Sequence, residues 1–194
     1  MVIGLSGPYC SGKSEVGRRL VNEYGFSEID VDRVGHEAVR LKTSEIIATF
    51  GGAVRSDSGG INRTALGRIV FADPTRMAQL ESLVHPVMVE LVRDRVKRSQ
   101  SDRILINAAL LVHMGLDTLC DAVIRVEAPV TVRIWRAKLR DGLTLGDILA
   151  RIRRQRGLEF SSQRVDTYTM HNAGGRKRLE RRLRTLAVTI GFSE

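Results

Sequence analysis

Eight residues near the start of the chain, Gly7-Pro8-Tyr9-Cys10-Ser11-Gly12-Lys13-Ser14, constrain its fold more than any other feature. They fit the pattern G-x-x-x-x-G-K-[ST] without a mismatch. The preceding run Met1–Leu5 is apolar and reads as a buried strand. Lys13–Tyr24 then sets Val16, Leu20, Val21 and Tyr24 on one helical face, and Gly25 follows as a stop. A chance glycine-rich turn has no reason to sit between such a strand and such a helix. In this setting the loop wraps backbone N–H groups around phosphate oxygens, and the helix aims its positive end at them. Gly12 allows close approach, Lys13 reaches the β- and γ-phosphates, and the Ser14 hydroxyl ligates Mg²⁺. The expected nucleotide-binding residues are therefore Cys10, Ser11, Gly12, Lys13, Ser14 and Glu15, with ATP–Mg as the ligand.

Beyond the loop, Phe26–Val31 reads as a second strand, and Val34–Leu41 and Ser44–Phe50 as helices. Gly51–Ile61 is rich in Gly, Ser and Asp and is expected to be a loop or small hairpin. Three helices follow. Asn62 caps the first, Asp73-Pro74 opens the second, and Pro86 opens the third, to about Arg98. Ile104–Val112 contains a third strand, Ala122–Glu127 a fourth and Thr167–Met170 a fifth. Pro129–Leu139, Thr144–Gln155 (with Thr144 and Asp147 as a capping box) and Arg176–Ile190 are helical. Strands separated by helices predict a mainly parallel sheet covered on both faces. The helical middle, roughly 43–100, forms a subdomain over it.

At 194 residues and 43% apolar composition the chain suits one domain with a real core. Its net charge of +9 fits nucleic acid, an acidic membrane, or a small substrate with many phosphates. Aromatics are only 5% and do not interleave with basic residues in the way that stacks bases, so no nucleic-acid partner is expected. The apolar stretch Ile104–Leu116 is broken by Asn107 and His113 and is too short for a bilayer. Two cysteines, Cys10 and Cys120, make no disulfide framework, and the N-terminus lacks a basic region before its apolar run. A cytoplasmic protein is expected.

Asp30 and Asp32 stand at the end of the second strand, the side of a parallel sheet where ligand chemistry gathers. A carboxylate there can orient an attacking hydroxyl and take its proton; Asp32 can equally be a helix N-cap. Arg133, Arg136, Arg140, Arg151, Arg153, Arg154, Arg156 and Arg164 crowd one region. Most read as a solvated basic face. Arg136 and Arg140, four apart before Asp141-Gly142, are the candidates for a closing lid that neutralises phosphoryl charge. His36 and His113 read as packing or surface residues, and His85, before Pro86, can be structural.

Together these residues resemble the dephospho-CoA kinase family over nearly the whole chain. Ile3-Gly4-Leu5-Ser6-Gly7 through Ser14 looks like the family's start. Ile29-Asp30-Val31-Asp32 is similar to its Ile-Asp-Ala-Asp signature, and Leu83-Val84-His85-Pro86 to its Leu-His-Pro element. Phe50-Gly51-Gly52, Asn62-Arg63, Leu66, Val70-Phe71, Leu110-Leu111, Arg136…Arg140-Asp141-Gly142, Arg151-Ile152…Gln155 and His171-Asn172 follow in the family's order. The resemblance implies an α/β fold, a P-loop NTPase-like parallel sheet flanked by helices, with a helical acceptor-binding insert and a lid. The parts are a core (1–42, 101–132, 165–194), an acceptor subdomain (about 43–100) and a lid (about 133–164) in one kinase domain. The implied reaction phosphorylates the ribose 3′-hydroxyl of dephospho-CoA, the last step of coenzyme A biosynthesis. Asp32, Lys13 and Arg140 are the implied catalytic residues, and Ser6, Asp32, His85, Leu110 and Arg136 the acceptor contacts.

Alternatives are a nucleoside or nucleoside monophosphate acceptor, which the helical insert and the His-Pro element oppose, and a nucleotide- or nucleic-acid-binding regulator, which Lys13, Ser14 and Asp32 oppose. Three places depart from the family pattern. Gly-Gly-Ile-Gly-Ser-Gly-Lys is here Gly7-Pro8-Tyr9-Cys10-Ser11-Gly12-Lys13, which the loop tolerates where Pro8 and Cys10 keep φ negative. Pro-Leu-Leu-Phe-Glu is Ala109-Leu110-Leu111-Val112-His113, and the late Asp-Asn is His171-Asn172.

Overall fold

The computed structural model describes residues 1–155 and 157–193, so Arg156 of the arginine cluster lies outside the described residues. In chain order the elements are β1 (Val2–Ser6), α1 (Lys13–Tyr24), β2 (Ser27–Asp30), α2 (Val31–Leu41), α3 (Thr43–Phe50), α4 (Arg63–Ala72) and α5 (Pro74–Arg98). β3 (Ile104–Asn107), β4 (Ala122–Glu127), α6 (Val130–Asp141), α7 (Leu145–Arg154), β5 (Thr167–His171) and α8 (Arg176–Ile190) complete the chain. They pack as two compact units, Met1–Ile29 with Ser99–Glu194, and Asp30–Arg98.

The first unit is built on a parallel five-stranded sheet in the order β2-β3-β1-β4-β5. The register sets Leu5 beside Asn107, Ser6 beside Arg125 and Glu127 beside His171. β1 and β3 are apolar up to their last residues, Ser6 and Asn107, and β4 is largely apolar, because a parallel sheet is covered on both faces. On one face Ile3, Leu5, Leu105, Ile124 and Val126 pack with Val16 and Leu20 of α1 and Leu179, Leu183 and Ala187 of α8. Phe192 closes this core, meeting the rings of Tyr24 and Phe26 edge-on at 5.4 and 5.2 Å. Gly4 shows how tight the fit is: a Cβ there would stand 2.9 Å from both Cys120 Sγ and a Leu111 methyl. Arg19 of α1 is buried, with Glu15 and Glu23 each at 2.9 Å and Glu180 of α8 at 3.2 Å.

The second unit is helical. α2 packs along α5, burying Val34 and Ala38 of the former and Val84, Met88 and Val92 of the latter. Gly35 makes room for Met88, whose Cε would lie 3.2 Å from a Cβ at that position. This unit therefore takes in α2, which the sequence reading grouped with the core. Asn62 caps α4 as expected, accepting from the Ala65 N–H at 3.1 Å, and Asp73 accepts from the Thr75 N–H at 2.8 Å. Gly51–Ile61 is a single 3₁₀ turn and one antiparallel bridge between Arg55 and Ile61.

Two local expectations are corrected. β2 ends at Asp30, and Val31 already belongs to α2. Pro86 does not open a helix but stands inside α5, which runs unbroken for 25 residues. A proline there lacks one N–H and crowds the preceding turn. Buried Val84, Met88 and Val92 hold the helix on its apolar face while Pro86 itself is exposed.

Candidate active site

The loop between β1 and α1 is a chain of turns that only particular residues can make. Gly7 has φ +153, and a Cβ on it would lie 2.5 Å from the Val126 carbonyl oxygen. Pro8 to Ser11 is a turn closed by the Ser11 N–H donating to the Pro8 carbonyl at 3.0 Å. Cys10, third in that turn, has φ +59 and is the only described residue other than glycine with a positive φ. This corrects the expectation of a negative φ: the turn needs a left-handed residue at its third position, the normal reason for glycine there. Gly12 has φ +94, and a Cβ on it would collide with the Asn172 side-chain amide and come within 3.2 Å of Arg136 Nη1.

Helices α6 and α7 and the end of β5 grip this loop from behind. Arg133, buried on α6, donates from Nε to the Tyr9 carbonyl at 2.7 Å, and burial pushes the pKa of its guanidinium down. Gln155, at the end of α7, accepts from the Tyr9 N–H at 2.7 Å. Arg136 donates to the Ser11 and Asn172 carbonyls, each at 2.9 Å, and Asn172 Nδ2 also reaches the Ser11 carbonyl at 3.0 Å. Arg140 forms a two-pronged pair with Asp141, at 2.7 and 3.0 Å, and its guanidinium lies 5.4 Å from the centre of the Tyr9 ring. Arg151 lies 5.5 Å from the same ring, and the Tyr9 hydroxyl donates to Asp141. The Arg140 fork, then the Tyr9 hydroxyl, hold the Asp141 carboxyl well below the usual carboxylate range. Gly142 ends α6 in the left-handed region, and Thr144 caps α7 by accepting from the Asp147 N–H at 3.2 Å.

Lys13 donates to Asn107 Oδ1 at the end of β3, and Asn107 Nδ2 donates to Glu28 at 2.6 Å. Ser14 is exposed in the first turn of α1. Glu15 pairs with Arg18 at 2.5 Å and Arg19 at 2.9 Å, and the Arg18 contact, more than Arg19, holds its carboxyl below the usual range. The Ser11 hydroxyl is buried without a hydrogen-bond partner among the described residues. Ser6 is buried and donates to the Phe160 carbonyl at 2.8 Å, and Leu110 is half-buried after β3. In the helical unit Asp30, not Asp32, is the N-cap of α2: its carboxylate accepts from the N–H groups of Asp32 at 3.0 Å and Arg33 at 3.3 Å. Asp32 is exposed in the first turn, and His85 is half-buried within α5.

Ser6, Cys10, Ser11, Gly12, Lys13, Ser14, Glu15, Leu110, Arg136 and Arg140 thus belong to one unit, and Asp32 and His85 to the other. The roles of Tyr9, Asn107 and Arg133 escaped the sequence reading. Arg133 carried a weak signal, standing three residues before Arg136 and so one turn away on the same helix.

A phosphate loop at the end of a central parallel strand, entering a helix and backed by arginine-rich helices, defines a P-loop kinase. The family described as dephospho-CoA kinase matches residues 1–177, and the chain belongs to that family. It is 32% identical to a dephospho-CoA kinase of Thermus thermophilus, over 98% of this chain and 92% of that one. It is 39% identical to one of Moorella thermoacetica, over 89% and 84%. With a dephospho-CoA kinase of Borreliella burgdorferi it shares 38% identity over 66% of this chain, spanning 62% of that protein's length. A solved Thermus thermophilus structure superposes with TM-score 0.80 at 31% identity, covering 97% of each chain. Shikimate kinase of Bacteroides thetaiotaomicron shares the fold, with TM-score 0.57 at 11% identity over 98% of each chain.

Proposed function

We propose that this chain transfers the γ-phosphoryl group of ATP to the ribose 3′-hydroxyl of dephospho-CoA, giving CoA and ADP, in the cytoplasm and with no nucleic-acid or membrane partner. One observation carries the reading: the family match over residues 1–177 includes an intact loop ending in Gly12-Lys13-Ser14. In this reading Lys13 lets go of Asn107 to follow the β- and γ-phosphates. Arg140 answers the charge spread over the transferring group. Asp32 orients the acceptor hydroxyl and takes its proton as the new O–P bond forms. Ser6, His85, Leu110 and Arg136 serve acceptor binding, the helical unit holding the acceptor and the segment 133–164 acting as the lid.

Mg²⁺ fits the donor set. The exposed Ser14 hydroxyl lies in the first turn of α1, and the buried Ser11 hydroxyl, without a hydrogen-bond partner among the described residues, stands in the turn before it. When bound, the ion neutralises charge on the β- and γ-oxygens. The test is ADP release from ATP with dephospho-CoA, nucleosides and nucleoside monophosphates offered in turn, with the product weighed by mass spectrometry. Phosphorylated dephospho-CoA is expected. Turnover of a nucleoside monophosphate alone, or of no acceptor, overturns the reading.

A further inference from the structure

Tyr9 occupies a loop position at which the family pattern has isoleucine, and the phosphate chemistry makes no use of a phenol there. Its backbone is fastened independently of its side chain, by Arg133 on the carbonyl and Gln155 on the N–H, both at 2.7 Å. The side chain is left for another task. Its ring packs beside the cluster of Ala137, Ile148 and Ile152, and two guanidiniums lie over it, Arg140 at 5.4 Å and Arg151 at 5.5 Å. Its hydroxyl donates to Asp141, the carboxylate that grips Arg140 at 2.7 and 3.0 Å.

We propose that Tyr9 is a positioning residue for Arg140: its ring and hydroxyl, with Asp141, hold that guanidinium against the phosphate loop in the arrangement used for phosphoryl transfer. Arg140 is 59% exposed, so without such a support its long side chain would sample many rotamers. A guanidinium within about 6 Å of an aromatic face is attracted to it, and a bidentate carboxylate fixes the plane of the fork. Burial and the Asp141 contact push the Tyr9 phenol's pKa up, so it stays a neutral donor at physiological pH. The loop therefore carries its own fixture for the arginine of the lid.

This rests on Arg140 acting in transfer, and the experiment separates the two claims. kcat and the KM for ATP are measured for Tyr9→Phe, Tyr9→Leu, Arg140→Ala and the double variant Tyr9→Leu/Arg140→Ala. Tyr9→Leu is expected to lower kcat about 10-fold with the KM for ATP within about twofold, since the lost contact acts in the transition state. Tyr9→Phe, which keeps the ring, should recover part of the loss. The double variant should be no slower than Arg140→Ala alone, because Tyr9 acts through that side chain. If Arg140→Ala keeps full kcat, its catalytic role falls, and the Tyr9 proposal with it. If Arg140→Ala is slow but Tyr9→Leu is as fast as the native protein or faster, or if the two losses multiply, only the Tyr9 proposal falls. Should Tyr9→Leu not fold, the same cycle run with Tyr9→Phe, expected about threefold slower, decides the matter.

Discussion

At Cys10 an L-residue occupies a backbone region that its Cβ disfavours by about 1–2 kcal/mol. Cys10→Gly removes that strain and adds some unfolded-chain entropy, so its stability should equal or exceed the parent's by up to about 1 kcal/mol. Cys10→Val, branched at Cβ, should lose about 1–2 kcal/mol. Urea unfolding reads both, and a valine variant more stable than the glycine variant would refute the turn. The other thiol differs: burial pushes the Cys120 pKa up to about 12, so at pH 8 a thiol reagent should label Cys10 well before Cys120. Asp32 calls for a selective change. With Asp30 taking the cap, Asp32→Asn should leave ATP binding near normal in calorimetry while kcat with dephospho-CoA falls roughly 10²-fold or more. Loss of ATP binding would instead assign Asp32 to the nucleotide or metal site. The phosphate loop was legible because eight adjacent residues carry it. Arg133 and Asn107 were not, because what they touch lies 124 and 94 residues away and only the folded register brings it near.

Among elements, α8 was legible to the residue because Gly175 and Gly191 bracket an uninterrupted amphipathic pattern. α5 was misread because proline is a strong local signal and the force that overrides it is tertiary. Since Pro86 is exposed and a proline inside a helix supplies no N–H to the ladder, Pro86→Ala should stabilise the protein by about 2 kcal/mol in urea unfolding. No gain, or a loss, would mean that the ring itself is needed. One residue earlier on this helix, substitution of His85 should raise the KM for dephospho-CoA and leave that for ATP nearly unchanged. The reverse pattern would exchange the two sites.

For the molecule as a whole, α1 and α8 are joined by the buried Arg19 and its three carboxylates. Glu15 and Glu180 have pKa values held below their ordinary range, chiefly by Arg18 and Arg176. A depressed folded pKa contributes stability that is complete above the unfolded value, about 4.3, and lost as pH falls through the lower folded value. The Tm should therefore hold between pH 7 and 5 and fall below about pH 4, with a shallower fall in Arg19→Met. A flat Tm down to pH 3, or an unchanged slope in that variant, would show that this junction contributes nothing to acid sensitivity. The clasp on the loop has a consequence of another kind. The Ser11 carbonyl is held by Arg136 and by Asn172, which stand 125 and 161 residues downstream. A ribosome delivers the loop before its backing, so a nascent chain carries the motif well before the side chains that clasp it exist. Until Asn172 has been made, the Ser11 carbonyl lacks part of the clasp that holds it.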